Sequence, residues 1–198
     1  KTTISLSSDG VVQLPPITVK RVVSKISYNL TAKPADLELK SVQLISIPRT
    51  AVVFAPDGTA ADNPDDYTDS PETTLTGQRA AGSYYMLPNR QGVNTSITDQ
   101  KQKNADNAPA CASWLLIRAT RGSKVLAYSV YLGENNTSDF NVRANSHYTL
   151  NITLLNDNTA DTRIASYTAT VYDDFDDGNI GSYCVYDPDY SLHVDMAV

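Results

Sequence analysis

Glutamate, histidine, cysteine and long apolar runs are all scarce in this chain. Of 22 acidic residues only Glu38, Glu72 and Glu134 are glutamate, and nineteen are aspartate. Aspartate competes with the helical backbone for hydrogen bonds and prefers turns and caps, which argues against a mainly helical chain. The 16 lysines and arginines are dispersed rather than clustered, which argues against nucleic acid as a partner. No stretch approaches the eighteen or so apolar residues a membrane-crossing helix needs. The two histidines, His147 and His193, and the two cysteines, Cys111 and Cys184, lack the spacing of a zinc site. A nucleophile elbow, a phosphate-cradling glycine loop and a His-Glu-x-x-His helix are also missing, so a non-enzymatic role is expected. The sequence starts at Lys1 with neither Met nor an apolar leader, and reads as a mature fragment whose export signal, if it had one, is gone.

What the chain does have is polar strand formers and a divided charge. Charged residues make up only 19% of 198, and Ser, Thr, Asn and twelve Tyr fill the gap, a mixture that suits β-strands joined by polar turns. Residues 1–156 carry a net charge of +2, whereas residues 157–198 carry Arg163, nine Asp and a net −8. The length allows a substantial core without staples.

Periodicity places the strands. In Ile17–Leu30, residues Val22, Ile26, Tyr28 and Leu30 share one parity, with Lys25, Ser27 and Asn29 on the other. Asp9-Gly10 reads as a hairpin turn ahead of Pro15-Pro16. Ala35–Leu39 could begin a short helical turn. Glu38–Ile47 is a strand with Val42 and Leu44 inward, ended by Pro48. Ala55–Gly82, rich in Pro, Asp and Gly, reads as a long surface excursion. Ser83–Leu87 is a short aromatic strand, and Gln91–Pro109 is polar with no obvious packing face. Cys111–Arg121, Lys124–Leu132, Asp139–Arg143, His147–Leu155 and Arg163–Tyr172 follow as strands. The clearest alternation sets Tyr148, Leu150, Ile152 and Leu154 inward against Thr149, Asn151 and Thr153. The expected fold is all-β, an antiparallel β-sandwich of transthyretin-like or immunoglobulin-like outline.

One ordered series of short motifs is distinctive. Tyr128-Ser-Val-Tyr131-Leu132-Gly133 is followed by Asp139-Phe140-Asn141-Val142 and then Asn145-Ser-His-Tyr148-Thr-Leu-Asn-Ile152. The series resembles the C-terminal half of the fimbrillin family of Bacteroidetes, which comprises pilus subunits and related surface lipoproteins. Val19–Ile26, Tyr85-Met-Leu-Pro88-Asn89-Arg90-Gln-Gly92 and Asp161-Thr-Arg163 resemble further family segments. Asn89 stands where the family usually has Glu, and Ala144 where it usually has Arg, with Arg143 one place earlier. Physically, Gly133 permits a turn, Asn145 can fold its amide onto the backbone, and Tyr131 and Tyr148 can bury their rings with bonded hydroxyls.

The resemblance implies a cell-surface, extracellular protein of structural and adhesive function: a fimbrial (pilus) subunit or anchor at the outer membrane. Any membrane attachment would run through a lipid anchor outside this chain. It further implies partners that are other fimbrial subunits or copies of the same chain, joined by strand addition, together with a host or bacterial surface ligand. In pilus-forming members an Arg-specific protease removes an N-terminal strand, and by analogy Arg21 in Lys20-Arg21 is a cleavage candidate. A solvated charge is the simpler reading of the same residue. The chain then divides into an N-terminal hairpin or remnant (1–16), a fimbrillin-like sandwich (17–165) and an acidic extension (166–198).

Three other readings stay open. Asp173, Asp174, Asp176 and Asp177 are dense in hard oxygen ligands and are a calcium candidate, although the EF-hand register fails; a solvated acidic loop is the default, and no other cofactor is expected. Asp62, Asp65, Asp66 and Asp69 invite the same caution. Glycan binding would use Tyr84 and Tyr85, or Tyr183, Tyr186 and Tyr190, if exposed. Cys111 and Cys184 either form one disulfide or, as the plainer reading of Cys111, remain thiols.

Overall fold

The computed structural model describes residues 20–53, 62–99, 102–155 and 192–197, the last as backbone only. Twelve strands lie among them: β1 (Ser24–Ala32), β2 (Leu37–Ile45), β3 (Ile47–Pro48), β4 (Tyr67–Thr68), β5 (Thr73–Thr74), β6 (Arg79–Met86), β7 (Asn89–Val93), β8 (Trp114–Arg121), β9 (Lys124–Tyr131), β10 (Asp139–Val142), β11 (His147–Leu154) and β12 (Leu192–Ala197). The described residues contain a 3-10 turn at Pro64–Asp66 and no α-helix, and no helix long and apolar enough to cross a membrane.

Two four-stranded sheets form the body. The first runs β12-β11-β1-β6 and the second β5-β2-β8-β9; two-stranded ribbons pair β10 with β7 and β3 with β4. The protein is an all-β sandwich. Alternation explains its core. Ile26, Tyr28 and Leu30 of β1 and Tyr148, Leu150, Ile152 and Leu154 of β11 meet Leu37, Leu39, Val42 and Leu44 of β2 and Leu115, Ile117 and Ala119 of β8 in one buried cluster. β1, β8 and β11 send every second residue inward, and β2 does so on either side of a register shift between Leu39 and Ser41, which moves its inward parity from Leu37 and Leu39 to Val42 and Leu44. One ladder departs from the antiparallel pattern: β1 and β11 pair in parallel, from Lys25 opposite His147 to Ala32 opposite Leu154.

Several boundaries differ from those read off the sequence. Ala35–Leu39 holds no helical turn; residues 34–36 turn the chain and β2 starts at Leu37. The strand expected to run to Ile47 stops at Ile45, and Pro48 is the last residue of a separate two-residue strand, β3, opposite Tyr67. The break falls at Ser46, in the left-handed region at φ 61°. The supposed excursion 55–82 is anchored at three places in its described part: β4 on β3, β5 on β2, and the first half of β6 on β1. The polar stretch 91–109 also has a packing face. It supplies β7 and part of a second apolar cluster, Ile97, Ala112, Tyr131 and Phe140, with Ala108 and Trp114 against it.

The hairpin expected before Pro15 and the strand Arg163–Tyr172 lie outside the described residues. β12 belongs to the first sheet, so the end of the acidic segment joins the sandwich.

Candidate functional site

The ordered motif is the joint that closes the first sheet. Gly133 follows the end of β9, and a Cβ there would collide with the backbone carbonyl of Asp139. Glycine is therefore required by close approach of two chain segments, a stronger demand than the turn expected of it. Asp139 gathers this loop: its Oδ1 accepts from the backbone N–H of Glu134 at 2.9 Å and of Asn141 at 2.8 Å, and its Oδ2 accepts from Asn141 Nδ2 at 2.8 Å. Arg143 donates to Glu134 Oε2 at 2.8 Å, so its charge is met within the same loop.

Tyr148 and Asn145 carry the chain from this loop into β11. The Tyr148 ring is fully buried; its hydroxyl accepts from Arg143 N–H at 2.9 Å and reaches Asn141 O at 3.4 Å. Burial pushes its pKa upward, so the phenol stays neutral. Tyr131 and Leu132 are buried as well. Asn145 takes a left-handed conformation, φ 58°. Its amide does not serve only its own turn: Oδ1 accepts from Arg21 N–H at 3.2 Å, and its backbone N–H donates to Val23 O at 3.2 Å. With Lys25 N–H on Ser146 O at 2.9 Å, these bonds set the parallel register of β1 on β11. The motif thus joins segments more than a hundred residues apart, which its local sequence does not disclose.

Among the described residues the two four-stranded sheets end in four edge strands: β12 pairs only with β11, β6 only with β1, β5 only with β2 and β9 only with β8. An edge strand presents unpaired N–H and C=O groups that a further strand can take up. β12 lies antiparallel on β11 over six positions, from Thr149 opposite Ala197 to Leu154 opposite Leu192.

The remaining candidate residues are scattered. Arg21 is exposed and precedes β1, the strand held between β11 and β6. Tyr84 and Tyr85 point to opposite faces of β6: Tyr84 donates to Val42 O at 3.0 Å between the sheets, while Tyr85 is exposed. They form no common platform. His147 Nε2 lies 2.8 Å from Ser27 Oγ as a cross-strand pair, and burial followed by Lys25 lowers its pKa. Cys111 is a buried thiol, its Sγ 3.6 Å from Asp62 O, with its pKa raised first by that burial. Among the described residues no group of three or more His, Cys, Asp and Glu could hold a metal. Asp173, Asp174, Asp176, Asp177, Cys184, Tyr183, Tyr186 and Tyr190 lie outside the described residues.

Sequence reasoning missed two residues. Asn89 is fully buried and donates to Cys111 O at 2.8 Å and Ser113 Oγ at 2.7 Å, while Tyr67 Oη and Gln91 Nε2 both donate to its Oδ1. Lys103 is also buried. Its Nζ donates to Asn135 O at 2.6 Å and lies 5.3 Å from the centre of the Phe140 ring; burial lowers its pKa to about 7, against the raising effect of Asp139.

Comparisons with known proteins agree with this architecture. Residues 84–152, which span β6 to β11, match a domain of unknown function, DUF4906. No curated protein matches the chain. Among solved structures, a Parabacteroides distasonis protein described as a "putative cell adhesion protein" superposes with a TM-score of 0.52 at 13% identity, covering 92% of this chain and 53% of that one. A Bacteroides eggerthii protein of the same description gives 0.48 at 12% identity, covering 98% and 60%. The tip fimbrial protein Mfa3 of Porphyromonas gingivalis, with C-terminal truncation, gives 0.38 at 16% identity, covering 70% and 49%. The chain therefore spans about half the length of the first of these relatives. What the Parabacteroides likeness shows is the fold.

Proposed function

We propose that this chain is a non-enzymatic, cell-surface structural and adhesion module, a fimbrial subunit or anchor, that joins its neighbours by strand addition. The observation that carries the reading is β12. The last described strand is a short edge strand, added antiparallel to β11 at the end of a long connection, Leu155 to Ser191. Main-chain hydrogen bonds would supply the affinity, and alternate side chains the register. The fold shared with an adhesion-type protein supports the same reading, as does the tip fimbrial description of Mfa3. The location that goes with it is extracellular. Cleavage after Arg21 would release the residues ahead of β1 and leave β1 in place.

The test removes the strand. A chain ending at Ser191 should stay folded by thermal melting and take up a labelled Leu192–Val198 peptide, read by fluorescence anisotropy, while the full chain ignores it. A folded truncated chain that does not bind the peptide would overturn the mechanism.

A further inference from the structure

A cavity of about 640 Å³ opens on the outer face of the second sheet, away from the edges that strand addition would use. Gln43 and Ile45 of β2, Trp114 of β8, and Arg49, Thr68 and Asp69 are among the residues that line it. The volume lies within the ordinary range of small-ligand sites, roughly 300–1,000 Å³.

Its polar side chains are already held. Gln43 Nε2 donates to Ser70 O at 2.8 Å, which fixes the amide and leaves its oxygen as an acceptor. Asp69 Oδ1 accepts from Ser46 N–H at 3.0 Å, which fixes the carboxylate with its second oxygen uncommitted. Arg49 Nε donates to Tyr67 O at 2.8 Å, leaving the outer guanidinium nitrogens. Ser46 itself is a non-glycine residue in the left-handed region, tied down by Ser46 Oγ donating to Cys111 O at 2.9 Å and Ser113 Oγ donating to Ser46 O at 2.6 Å. Strain held in place this way gathers at binding sites.

Trp114 supplies a plane. Its indole stacks on Tyr131 at 5.8 Å and 29°, and it is half-buried.

We propose that this cavity binds one or two neutral sugar residues of a glycan, a hexose or N-acetylhexosamine. The C–H face of the ring lies against Trp114. The hydroxyls donate to Asp69 and Gln43 and accept from Arg49 and the indole N–H. Other ligands fit less well. The lining carries one guanidinium, Arg49, and one carboxylate, Asp69, so it has no net positive charge to favour a phosphate or other anion. An extended peptide would need free main chain, but β8 is paired on both sides, and at Leu44 the N–H of β2 is met by Ser70 Oγ and the carbonyl by Ser70 N–H. Pre-oriented groups lower the ordering cost of binding, which suits a weak, repeated contact with a polysaccharide. The site is independent of strand addition, so failure of either leaves the other standing.

Trp114 is the chain's single tryptophan, so its fluorescence reports on this place alone. The full chain is titrated with galactose, glucose, N-acetylglucosamine and N-acetylgalactosamine, with N-acetylneuraminic acid and the Leu192–Val198 peptide for comparison, and amide chemical shifts are followed in parallel. Saturable binding of a neutral sugar is expected, with shifts centred on Gln43, Asp69 and Trp114. Asp69→Asn keeps the bond to Ser46 and the fold, and should weaken binding about tenfold, as loss of a charge-assisted hydrogen bond does. Arg49→Ala should weaken it as well. No saturable response to any neutral sugar, a response only to the acidic sugar or the peptide, or neutral-sugar binding that both variants retain in full would overturn the proposal.

Discussion

The two apolar clusters lie on opposite faces of one sheet and are built by different rules. Val130 and Tyr131 are consecutive in β9, yet Val130 belongs to the cluster between the sheets and Tyr131 to the cluster outside them. The inner cluster is periodic, because the strands that enter it contribute alternate residues, with one change of parity at the register shift in β2. The outer one is assembled from Ile97 and Ala112 in loops, Tyr131 at a strand end and Phe140 on the β7–β10 ribbon. Periodicity announces the first. Nothing periodic announces the second, because loop residues pack wherever chain closure brings them.

Substitutions can break or sharpen this contrast. The largest effect is expected in the inner cluster, where Leu150→Ala should lower unfolding free energy by about 3 kcal/mol in urea titration, since the cavity left between two sheets cannot close. Gly133→Ala should cost about 2 kcal/mol, because either the Asp139 carbonyl or the end of β9 must shift; an unchanged urea midpoint would refute the close approach. Phe140→Ala should act more locally. Amide exchange should accelerate across residues 94–112 while the β1–β11 ladder stays protected, and equal loss in both would show that the two clusters unfold as one.

Lys103 gives a pH test of the outer region. Its folded value of about 7 lies below the ordinary lysine value of 10.5, so between these the unfolded chain holds a proton that the folded chain lacks. Stability from this group should therefore rise as pH goes from 7 toward 10.5 and stay flat below 7. Comparing wild type with Lys103→Met across that window isolates the effect, and parallel curves would show that the lysine does not titrate as its burial implies. The smallest effect is expected at Val125, exposed on β9, where Val125→Thr should stay within about 0.5 kcal/mol.

The contrast also explains how much could be read in advance. The inward set of β11 was legible from its alternation, as were the motif residues Tyr131, Leu132, Gly133, Asn145 and Tyr148. What those residues do was only partly legible. Gly133 makes room for a carbonyl, and Asn145 reaches Arg21 across the fold. Asn89 was legible only as a departure from a family segment and Lys103 only as part of a polar stretch, because their burial depends on partners at Cys111, Ser113 and Asn135 that are remote in sequence.

The sequence by itself determined that this chain is built of strands, which faces of those strands are apolar, and that its motif series resembles that of fimbrillins. Those properties depend on neighbouring residues and a period of two. Only the tertiary structure decided that β1 lies parallel to β11, that β12 closes an edge, and that a polar cavity forms around Trp114. Each depends on segments distant in the chain meeting at hydrogen-bonding distance, and no local pattern encodes which segments meet.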